Sequence, residues 1–303
     1  MLDPDALMRL RHLIGSAEIR AGATALPGGH VTRRRGRGLE IAEIRPFAHG
    51  DDPRHVDRNA TARTGQLQVR SFLAERDRTT LLLADFRPSM LWGTRRVFRS
   101  VAAAEQLCVL GWRAVEAGGR VALIAATAAG PFHTGAAART RGMLRVIGTL
   151  AQAHRVAMAA PLGADPPLTE LLDLAETLSP RGAEIWLASG FDSRGVEFDD
   201  TVTGLMRRAE LGLIRIADPF EDAPRPGLYR FRESSGALRS AQLGGARARL
   251  PKKTDPGAAP QDPVQRLAEA HGLPLRRVDS GIDPLAPLIQ RSAVSEDREA
   301  RHG

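Results

Sequence analysis

The sequence predicts an α/β protein with a doubly wound, mostly parallel sheet that helices cover on both faces. Four apolar runs indicate this fold: Thr79–Ala84, Val121–Thr127, Glu184–Ser189 and Gly212–Ala217. Such runs are typical of strands buried on both faces of a parallel sheet. Helical segments separate them at the spacing of a doubly wound fold. Hydrophobic residues make up 43% of the 303 residues and charged residues 26%, as in ordered globular proteins.

Before the sheet, the chain predicts a helix followed by a basic arm. An apolar face over residues 4–14 indicates the helix, and Asp3 is a plausible N-cap. The Gly- and Pro-rich stretch Gly22–Gly38 follows and contains the run Arg33–Arg37. We assign residues 1–35 to this helix and arm.

Residues 36–77 are predicted to form a strand–helix–strand segment. Leu39–Phe47 alternates as a strand, and Gln66–Glu75 returns as a second strand. Between them we expect a helix over Pro53–Ala62, capped by Asp52, because a carboxylate before a proline is a strong signal for a helix start.

Helices are predicted between the buried strands, over residues 96–117, 136–153, 168–178 and 201–209. After the fourth buried strand the alternation stops, and residues 219–250 read as an insertion. Within it, Gly227–Arg232 and Ala237–Leu243 are two short strands separated by a Ser-Ser-Gly turn, which is typical of a hairpin.

A helix and a strand complete the predicted sheet. The pair Asp262-Pro263 indicates a helix start, with the helix ending near His271, and Leu273–Val278 is the strand. Asp283-Pro284 indicates the start of a last helix. The domain then spans residues 78–291, and residues 292–303 form a charged tail.

Composition excludes several classes of function. The single cysteine, Cys108, cannot form an intramolecular disulfide, which fits a reducing, cytoplasmic setting. No apolar run reaches the roughly 18 residues of a membrane-spanning helix, so we expect a cytoplasmic protein without a membrane span. The net charge is +8, but aromatic residues make up only 4%, too few for a base-stacking platform. Nucleic acid is therefore an unlikely partner.

The densest polar cluster consists of His49, Asp51, Asp52, His55 and Asp57. Imidazole and carboxylate groups are common metal ligands. Asp52 is already assigned as a helix cap, however, and the two histidines fall on different elements. These residues are therefore predicted to be structural.

The loop after the first buried strand is a second candidate site, because ligands of open α/β sheets bind beyond the carboxyl ends of the strands. An aspartate followed by hydroxyls two and four residues later suits a divalent cation. Asp85 and Ser89 fit this pattern, but Arg87 replaces the first hydroxyl. A guanidinium is permanently charged and pairs with carboxylates. We therefore predict that Arg87 pairs with Asp85 and that the loop forms without a metal ion.

An ordered set of motifs runs through residues 36–77. It includes Gly36-Arg37-Gly38-Leu39-Glu40, Ile44-Arg45-Pro46-Phe47 and Glu75-Arg76-Asp77. Its most specific members, which we take as interaction or signature residues together with Arg87, are Gly50, Asp51, Asp52, Arg54, Asp57, Arg63, Thr64 and Gly65. Their order and spacing resemble the signature of the bacterial domain-of-unknown-function family 58. Asp85…Ser89 and Asp218-Pro219-Phe220-Glu221 fit its downstream pattern, so the resemblance covers roughly Gly36 to Leu288.

The resemblance implies a von Willebrand factor A-like core. It also implies a non-enzymatic role as a partner or adaptor of a MoxR-type AAA+ ATPase, alongside other von Willebrand A proteins, in chaperone-like maturation or stress response. Many longer members carry two membrane helices before the signature, and this chain resembles the short soluble class. We expect partner contacts at Arg87–Thr94, Gly190–Arg194 and Gly50–Gly65.

Von Willebrand A domains hold a cation through a D-x-S-x-S motif, a distant threonine and a second aspartate. In this chain Gly190 stands where the second aspartate is expected, although Asp192 is close by. The candidates for the threonine are Thr134 and Thr140. The site formed by Asp85, Ser89 and Asp192 is therefore expected to be degenerate, with no cofactor and with Mg²⁺ disfavoured. The double change Arg87→Ser with Gly190→Asp is expected to restore cation binding in part.

Two other classes of function stay open. A metal-ion-dependent binding or hydrolytic protein requires that the Asp85 loop hold a cation. A nucleic-acid binder requires that the arm at Arg33–Arg37 be ordered against phosphate groups, and its binding is expected to be weak and strongly salt-dependent.

Overall fold

The computed structural model describes residues 1–20, 41–48, 53, 56–72, 78–161, 163–233, 236–243 and 262–284. Contacts between residues divide the chain into two compact units. One is Ala25–Asp77, and the other combines Met1–Thr24 with Arg78–Gly303. The arginine run at residues 33–37 and the charged tail lie outside the described residues. The helix predicted after Asp283 also lies outside them from residue 285 onward.

The chain begins with helix α1 (Pro4–Arg20), which belongs to the larger unit and extends beyond the predicted residue 14. The Asp3 carboxylate accepts the backbone N–H of Asp5 at 2.9 Å, as expected of a residue that caps a helix start. Leu7 and Ile14 on the predicted apolar face are buried. The indole N–H of Trp112 donates to the backbone oxygen of Leu7 at 3.1 Å, which ties the helix to the sheet domain.

The smaller unit is a strand, a helix and a strand, as predicted. Strands β1 (Ile41–Pro46) and β2 (Gln68–Phe72) pair antiparallel, and helix α2 (Arg58–Thr64) lies between them in the chain. The predicted helix start at Pro53 is wrong. Asp57 caps the helix instead, because its carboxylate accepts the backbone N–H of Ala60 at 2.9 Å. Asp52 lies outside the described residues.

The larger unit is built on a six-stranded sheet. Its strands are β3 (Thr79–Asp85), β4 (Arg120–Ala126), β5 (Phe132–Ala138), β6 (Glu184–Ser189), β7 (Glu210–Ala217) and β10 (Leu275–Asp279). Their spatial order is β10-β7-β6-β3-β4-β5, and each neighbouring pair is parallel except β4 and β5. Numbered along the chain, the order is 3-2-1-4-5-6, that of a doubly wound sheet. The fold is von Willebrand factor A-like, as predicted.

Helices cover both faces of this sheet. The helices are α3 (Arg99–Glu116) and α4 (Arg139–Ala159) on one face, and α5 (Thr169–Leu178), α6 (Phe198–Met206) and α8 (Pro263–His271) on the other. Alternate residues of β3 enter the two cores, with Leu82 on the side of α3 and Leu81 and Leu83 on the opposite side. This alternation explains why the strand sequence is apolar throughout.

The last three residues of strand β5, Ala136–Ala138, were predicted as the start of a helix, and this prediction is wrong. The expected helix over residues 136–153 begins instead at Arg139, after an antiparallel edge strand. The strand contains Gly135 and three consecutive alanines, so its sequence lacks both a continuous apolar run and a clear alternation. Pairing with β4 decides its conformation, which local propensity alone does not reveal.

The predicted hairpin is present. Strands β8 (Gly227–Arg232) and β9 (Leu238–Leu243) form a two-stranded sheet after the short helix α7 (Pro219–Asp222). The rings of Phe220 and Tyr229 meet edge to face at 4.8 Å. At the turn, Gly236 has a φ of +85°, and a Cβ built on it lies 3.2 Å from the backbone nitrogen of Ala164. The hairpin tip therefore packs against the segment before α5.

None of the helices in the described part of the chain combines the length and the apolar composition needed to cross a membrane.

Candidate functional site

The candidate site lies at the carboxyl edge of the parallel strands, where the loops after β3, β6 and β7 meet the segment that leads into α5. Backbone bonds join two of these segments, since Leu168 donates to the oxygen of Ser193 and Thr169 to that of Arg194. The predicted site residues of the β3 and β6 loops therefore come together here.

Asp85 and Arg87 form a buried ion pair at the centre of this edge. Arg87 contacts the carboxylate of Asp85 with two nitrogens, Nη2 at 2.8 Å from Oδ2 and Nε at 2.9 Å from Oδ1. Both residues are almost fully buried, with 0% of Asp85 and 1% of Arg87 exposed. Such two-point contacts are the strong form of an arginine–carboxylate bond. The predicted pairing is confirmed.

Arg87 also joins three loops. Its Nη1 donates to the backbone oxygen of Pro166 at 2.5 Å and to that of Ser193 at 2.8 Å. On the carboxylate side, the hydroxyl of Ser189 donates to Asp85 Oδ2 at 2.6 Å. One guanidinium therefore links the β3 loop to the β6 loop and to the segment before α5.

The charges of this pair support each other. Burial raises the pKa of Asp85, but the positive charge and the hydrogen bonds of Arg87 outweigh it, so the pKa lies below its usual value. Burial likewise lowers the pKa of Arg87, and the charge of Asp85 reverses that effect and raises it. Both groups are therefore charged at neutral pH.

A second buried arginine, Arg99, stands at the first position of α3. Its Nη2 lies 2.9 Å from Asp192 Oδ2, and its Nε lies 3.6 Å from Glu221 Oε1. Further bonds run from Nη1 to the backbone oxygen of Ser89 and from Nε to that of Ile216, both at 3.2 Å. Arg99 thus holds the β3, β6 and β7 loops together in the same way as Arg87.

Gly190 makes room for Arg99. A Cβ built on Gly190 lies only 1.5 Å from Arg99 Nη2, so no larger residue fits while Arg99 keeps this position. The expectation that Gly190→Asp helps to rebuild a cation site stays a prediction, and it requires that the guanidinium of Arg99 move out of the space of the added side chain.

Asp218 fastens the end of β7. It accepts the backbone N–H and the hydroxyl of Thr94, the hydroxyl of Ser280 at 2.7 Å and the backbone N–H of Phe220 at 3.0 Å. Burial raises the pKa of Asp218, but these hydrogen bonds outweigh it and lower the pKa below its usual value. With Glu221 it forms a capping box at the start of α7.

Asp165 is the acidic residue that reaches Ser89. Its Oδ1 accepts the backbone N–H of Ser89 at 2.9 Å. Ser89 Oγ and Asp165 Oδ2 are buried and have no hydrogen-bond partner among the residues that the structure describes. Burial raises the pKa of Asp165, and hydrogen bonding with Ser89 and the charge of Arg87 offset this only in part.

The arrangement does not suit a divalent cation. Within the described residues there is no group of three or more His, Cys, Asp or Glu side chains that a metal ion can share. The candidate ligands Asp85 and Asp192 are each bound to a guanidinium. Neither Thr134 nor Thr140 joins them, because the hydroxyl of Thr134 accepts from Leu123 within the sheet and that of Thr140 accepts from Arg11.

The signature residues are divided between described and undescribed parts of the chain. Asp57 and Gly65 begin and end α2, and the hydroxyl of Thr64 donates to the backbone oxygen of Ala60 at 2.9 Å. Arg63 is exposed. The residues outside the described ranges are His49, Gly50, Asp51, Asp52, Arg54 and His55.

Sequence reasoning missed Arg99 and Asp165. Arg99 is a charged residue shortly before the apolar run Val101–Ala104, and Asp165 stands before two prolines in the segment between α4 and α5. Either feature can mark a buried polar contact, but neither identifies the partner, since Arg99 pairs with Asp192 far along the chain.

Two other buried groups resemble reactive centres. The Ser100 hydroxyl lies 3.1 Å from His154 Nε2 between α3 and α4, and both residues are fully buried. Burial lowers the pKa of His154 to about 4 and raises that of the Cys108 thiol. These groups are neutral and closed to solvent, so we interpret them as core residues.

Two curated relatives are 29% identical to this chain over 274 residues, covering 87% of this chain and 78% of their own length. They are the uncharacterized proteins Mb1516 of Mycobacterium bovis and Rv1480 of Mycobacterium tuberculosis. Among solved structures, the conserved hypothetical protein BatB of Bacteroides thetaiotaomicron aligns with a TM-score of 0.45 and 14% identity, over 73% of this chain and 99% of BatB. The family described as Protein of unknown function DUF58 matches residues 43–249. That match spans most of the described sheet domain and part of the smaller unit, and the chain belongs to this family.

Proposed function

We propose that this chain is a non-enzymatic protein–protein interaction module whose binding edge is held in shape by arginines instead of a metal ion. The observation that carries the proposal is the buried contact of Arg87 with Asp85, at 2.8 and 2.9 Å. Arg87 provides a fixed positive charge beside the carboxylate, where the resembled domains carry a cation.

Electrostatics favour this reading over a metal-dependent one. Two unit charges about 4 Å apart interact by about 4 kcal/mol at an effective dielectric constant near 20. The charge of Arg87 repels a divalent ion placed beside it by at least that amount. The carboxylate of Asp85 offers little attraction in return, because Arg87 already neutralises its charge. The shape of the edge therefore does not depend on the concentration of Mg²⁺.

The side chains of the site also argue against catalysis. The ionised groups at the centre, Asp85, Arg87 and Arg99, are buried and bound to each other or to backbone oxygens. The described part of the site contains neither a histidine nor a cysteine that is able to act as a base or a nucleophile. A surface for binding another protein requires none of these groups.

For the partner, we propose a MoxR-type AAA+ ATPase, with other von Willebrand A proteins as further members of the assembly. Membership in the family and the resemblance of its signature support this choice. Trp92 is the residue of the edge that we expect to matter most, because it is partly exposed, its ring lies 5.4 Å from the Arg99 guanidinium, and tryptophans are frequent hot spots of interfaces.

The test has two parts. Isothermal titration of the chain with Mg²⁺ and Mn²⁺ is expected to show no saturable binding. Capture of a purified, nucleotide-free MoxR-type ATPase is expected to be equal in EDTA and in Mg²⁺, and to weaken about tenfold in Trp92→Ala. The control, Leu228→Ala, removes a 69% exposed apolar side chain from the hairpin and is expected to bind normally. Saturable metal binding that Asp85→Ala abolishes contradicts the metal-independent edge, and absence of ATPase capture contradicts the partner.

A further inference from the structure

Helix α4 carries a surface of uncompensated positive charge. It contains four arginines, Arg139, Arg141, Arg145 and Arg155, and no acidic residue. All four are exposed, and none forms an ion pair with the residues that the structure describes. Leu144, 48% exposed, lies between two of them. We call this surface the arginine face.

The arginine face is unfavourable for the isolated chain. Arg139 and Arg141 stand in the first turn of α4, next to the positive end of the helix dipole. That end has no side-chain cap, and Arg139 has a φ of 59°, which is a strained conformation for a residue other than glycine. Charges and backbone conformations that destabilise the folded chain are typical of residues that bind another molecule.

An acidic surface lies on helices α5 and α6. Its four exposed carboxylates are Glu170, Asp173, Glu197 and Asp200. Across the described ranges none of them takes part in an ion pair, whereas the neighbouring Asp199 and Glu176 do, at 3.6 Å each from Arg194 and Arg208. Val196, next to Glu197, is fully exposed. We call this surface the acidic face.

The two faces lie on opposite sides of the sheet. Strand β5 runs antiparallel to β4, so Arg139 and Arg141 lie near the amino edge of the parallel strands, on the side of α3. Helices α5 and α6 cover the other side, and they begin at the carboxyl edge, where Thr169 bonds to Arg194. One molecule therefore cannot bring its own two faces together.

We propose that the arginine face of one copy binds the acidic face of a second copy. Each face presents four unpaired charges beside exposed apolar side chains, so the two are complementary in sign and composition. Because the faces differ, the contact is heterologous, and a pair of copies retains one free arginine face and one free acidic face. Such contacts build rings or open chains rather than a closed twofold dimer.

The first test is the salt dependence of self-association. It is measured by sedimentation velocity of the full chain at protein concentrations between about 5 and 300 μM. At about 0.1 M salt the Debye length is about 10 Å, which screens the repulsion between copies that each carry a net charge of +8 while leaving contacts within an interface. Association that increases with protein concentration is expected there, and at about 0.5 M salt it is expected to fall at least tenfold. A monomer at every protein and salt concentration overturns the proposal.

Charge exchange is the second test. The variant Arg141→Glu/Arg145→Glu and the variant Asp173→Arg/Asp200→Arg are each expected to be monomeric, because in each of them one face carries two charges of each sign and no longer complements the other face. An equimolar mixture is expected to form a heterodimer, because the unchanged acidic face of the first variant meets the unchanged arginine face of the second. The control is Arg225→Glu/Arg230→Glu, the same charge change at exposed arginines of the hairpin region, which is expected to associate like the original chain.

Each outcome of the exchange decides the matter. Association that persists in the Arg141/Arg145 variant, or a mixture that stays monomeric although circular dichroism shows both variants folded, overturns the proposal. Loss of association in the control as well shows that net charge rather than these faces is responsible, and overturns it too. Binding of the arginine face to acidic lipid vesicles, with no self-association, assigns the face to a membrane surface instead.

Discussion

Replacing Arg87 with methionine isolates the contribution of the buried pair. The new side chain has a similar length, but it removes the charge and every bond that the guanidinium makes to Asp85, Pro166 and Ser193. Asp85 is then a fully buried carboxylate that keeps only the Ser189 hydroxyl and the backbone N–H of residue 87. Breaking a buried ion pair in this way costs about 3 to 5 kcal/mol of unfolding free energy.

The pH dependence of this loss has a definite sign. In the original chain the pKa of Asp85 is lowered, so its contribution to stability is present above the unfolded pKa near 3.9 and disappears as the pH falls through the folded value. In Arg87→Met only burial and weak partners remain, and we expect the pKa of Asp85 to rise. The difference in stability between the two proteins is therefore expected to be largest at neutral pH and to shrink toward pH 4.

Urea unfolding followed by tryptophan fluorescence measures the effect, because Trp92, Trp112 and Trp186 all lie in the larger unit. The double variant Asp85→Asn/Arg87→Met is the matched control. It removes both charges and is expected to recover part of the lost stability, since neutral replacements of buried pairs are often tolerated. If Arg87→Met unfolds within about 1 kcal/mol of the original chain, the pair does not hold the edge together and the reasoning fails.

Four further predictions concern other parts of the chain. Gly190→Ala is expected to unfold at lower urea concentration than the original chain, because its Cβ lies 1.5 Å from Arg99 Nη2; equal midpoints contradict this. Asp57→Ala is expected to cost about 1 kcal/mol in thermal melts through loss of the α2 cap, and an unchanged melting temperature argues against that role. Burial lowers the pKa of His154 to about 4, so the free energy of unfolding of the original chain is expected to decrease as the pH falls below about 6.5. In His154→Phe this decrease is expected to be smaller. Parallel curves of stability against pH for the two proteins contradict this. Binding of duplex DNA through Arg33–Arg37, measured by fluorescence anisotropy, is expected to be weak and lost at about 200 mM salt, and sequence-selective binding at that concentration contradicts it.

The order of the fold was predictable because its signals are local. Apolar runs mark β3, β4, β6 and β7, and Asp262 before Pro263 gave the start of α8 correctly, with the carboxylate accepting the N–H of Val264. Strand β5 escaped prediction because its Gly and Ala residues carry little preference and its pairing with β4 is a tertiary effect. At the start of α2, Asp52 and Asp57 both resemble caps, and local sequence does not decide between them.

The site was predictable only where its partners are neighbours in the chain. Asp85 and Arg87 are two residues apart at the end of a strand, so charge and position were enough to predict their contact. Arg99 and Asp192 meet only after the sheet has brought the loops of β3 and β6 together. The same holds for Asp165 and Ser89, whose contact depends on the path of the segment between α4 and α5.

The contacts of Arg87, Arg99 and Gly190 also limit which substitutions this edge tolerates. Arg87→Ser leaves the buried Asp85 without its cation, and Gly190→Asp collides with Arg99. Replacement of Arg99 deprives Asp192 of its partner. Each of these single substitutions is expected to destabilise the edge while the other two residues are unchanged. The effect of a substitution at any one of these positions is therefore expected to depend on the residues at the other two, which double-variant cycles measure.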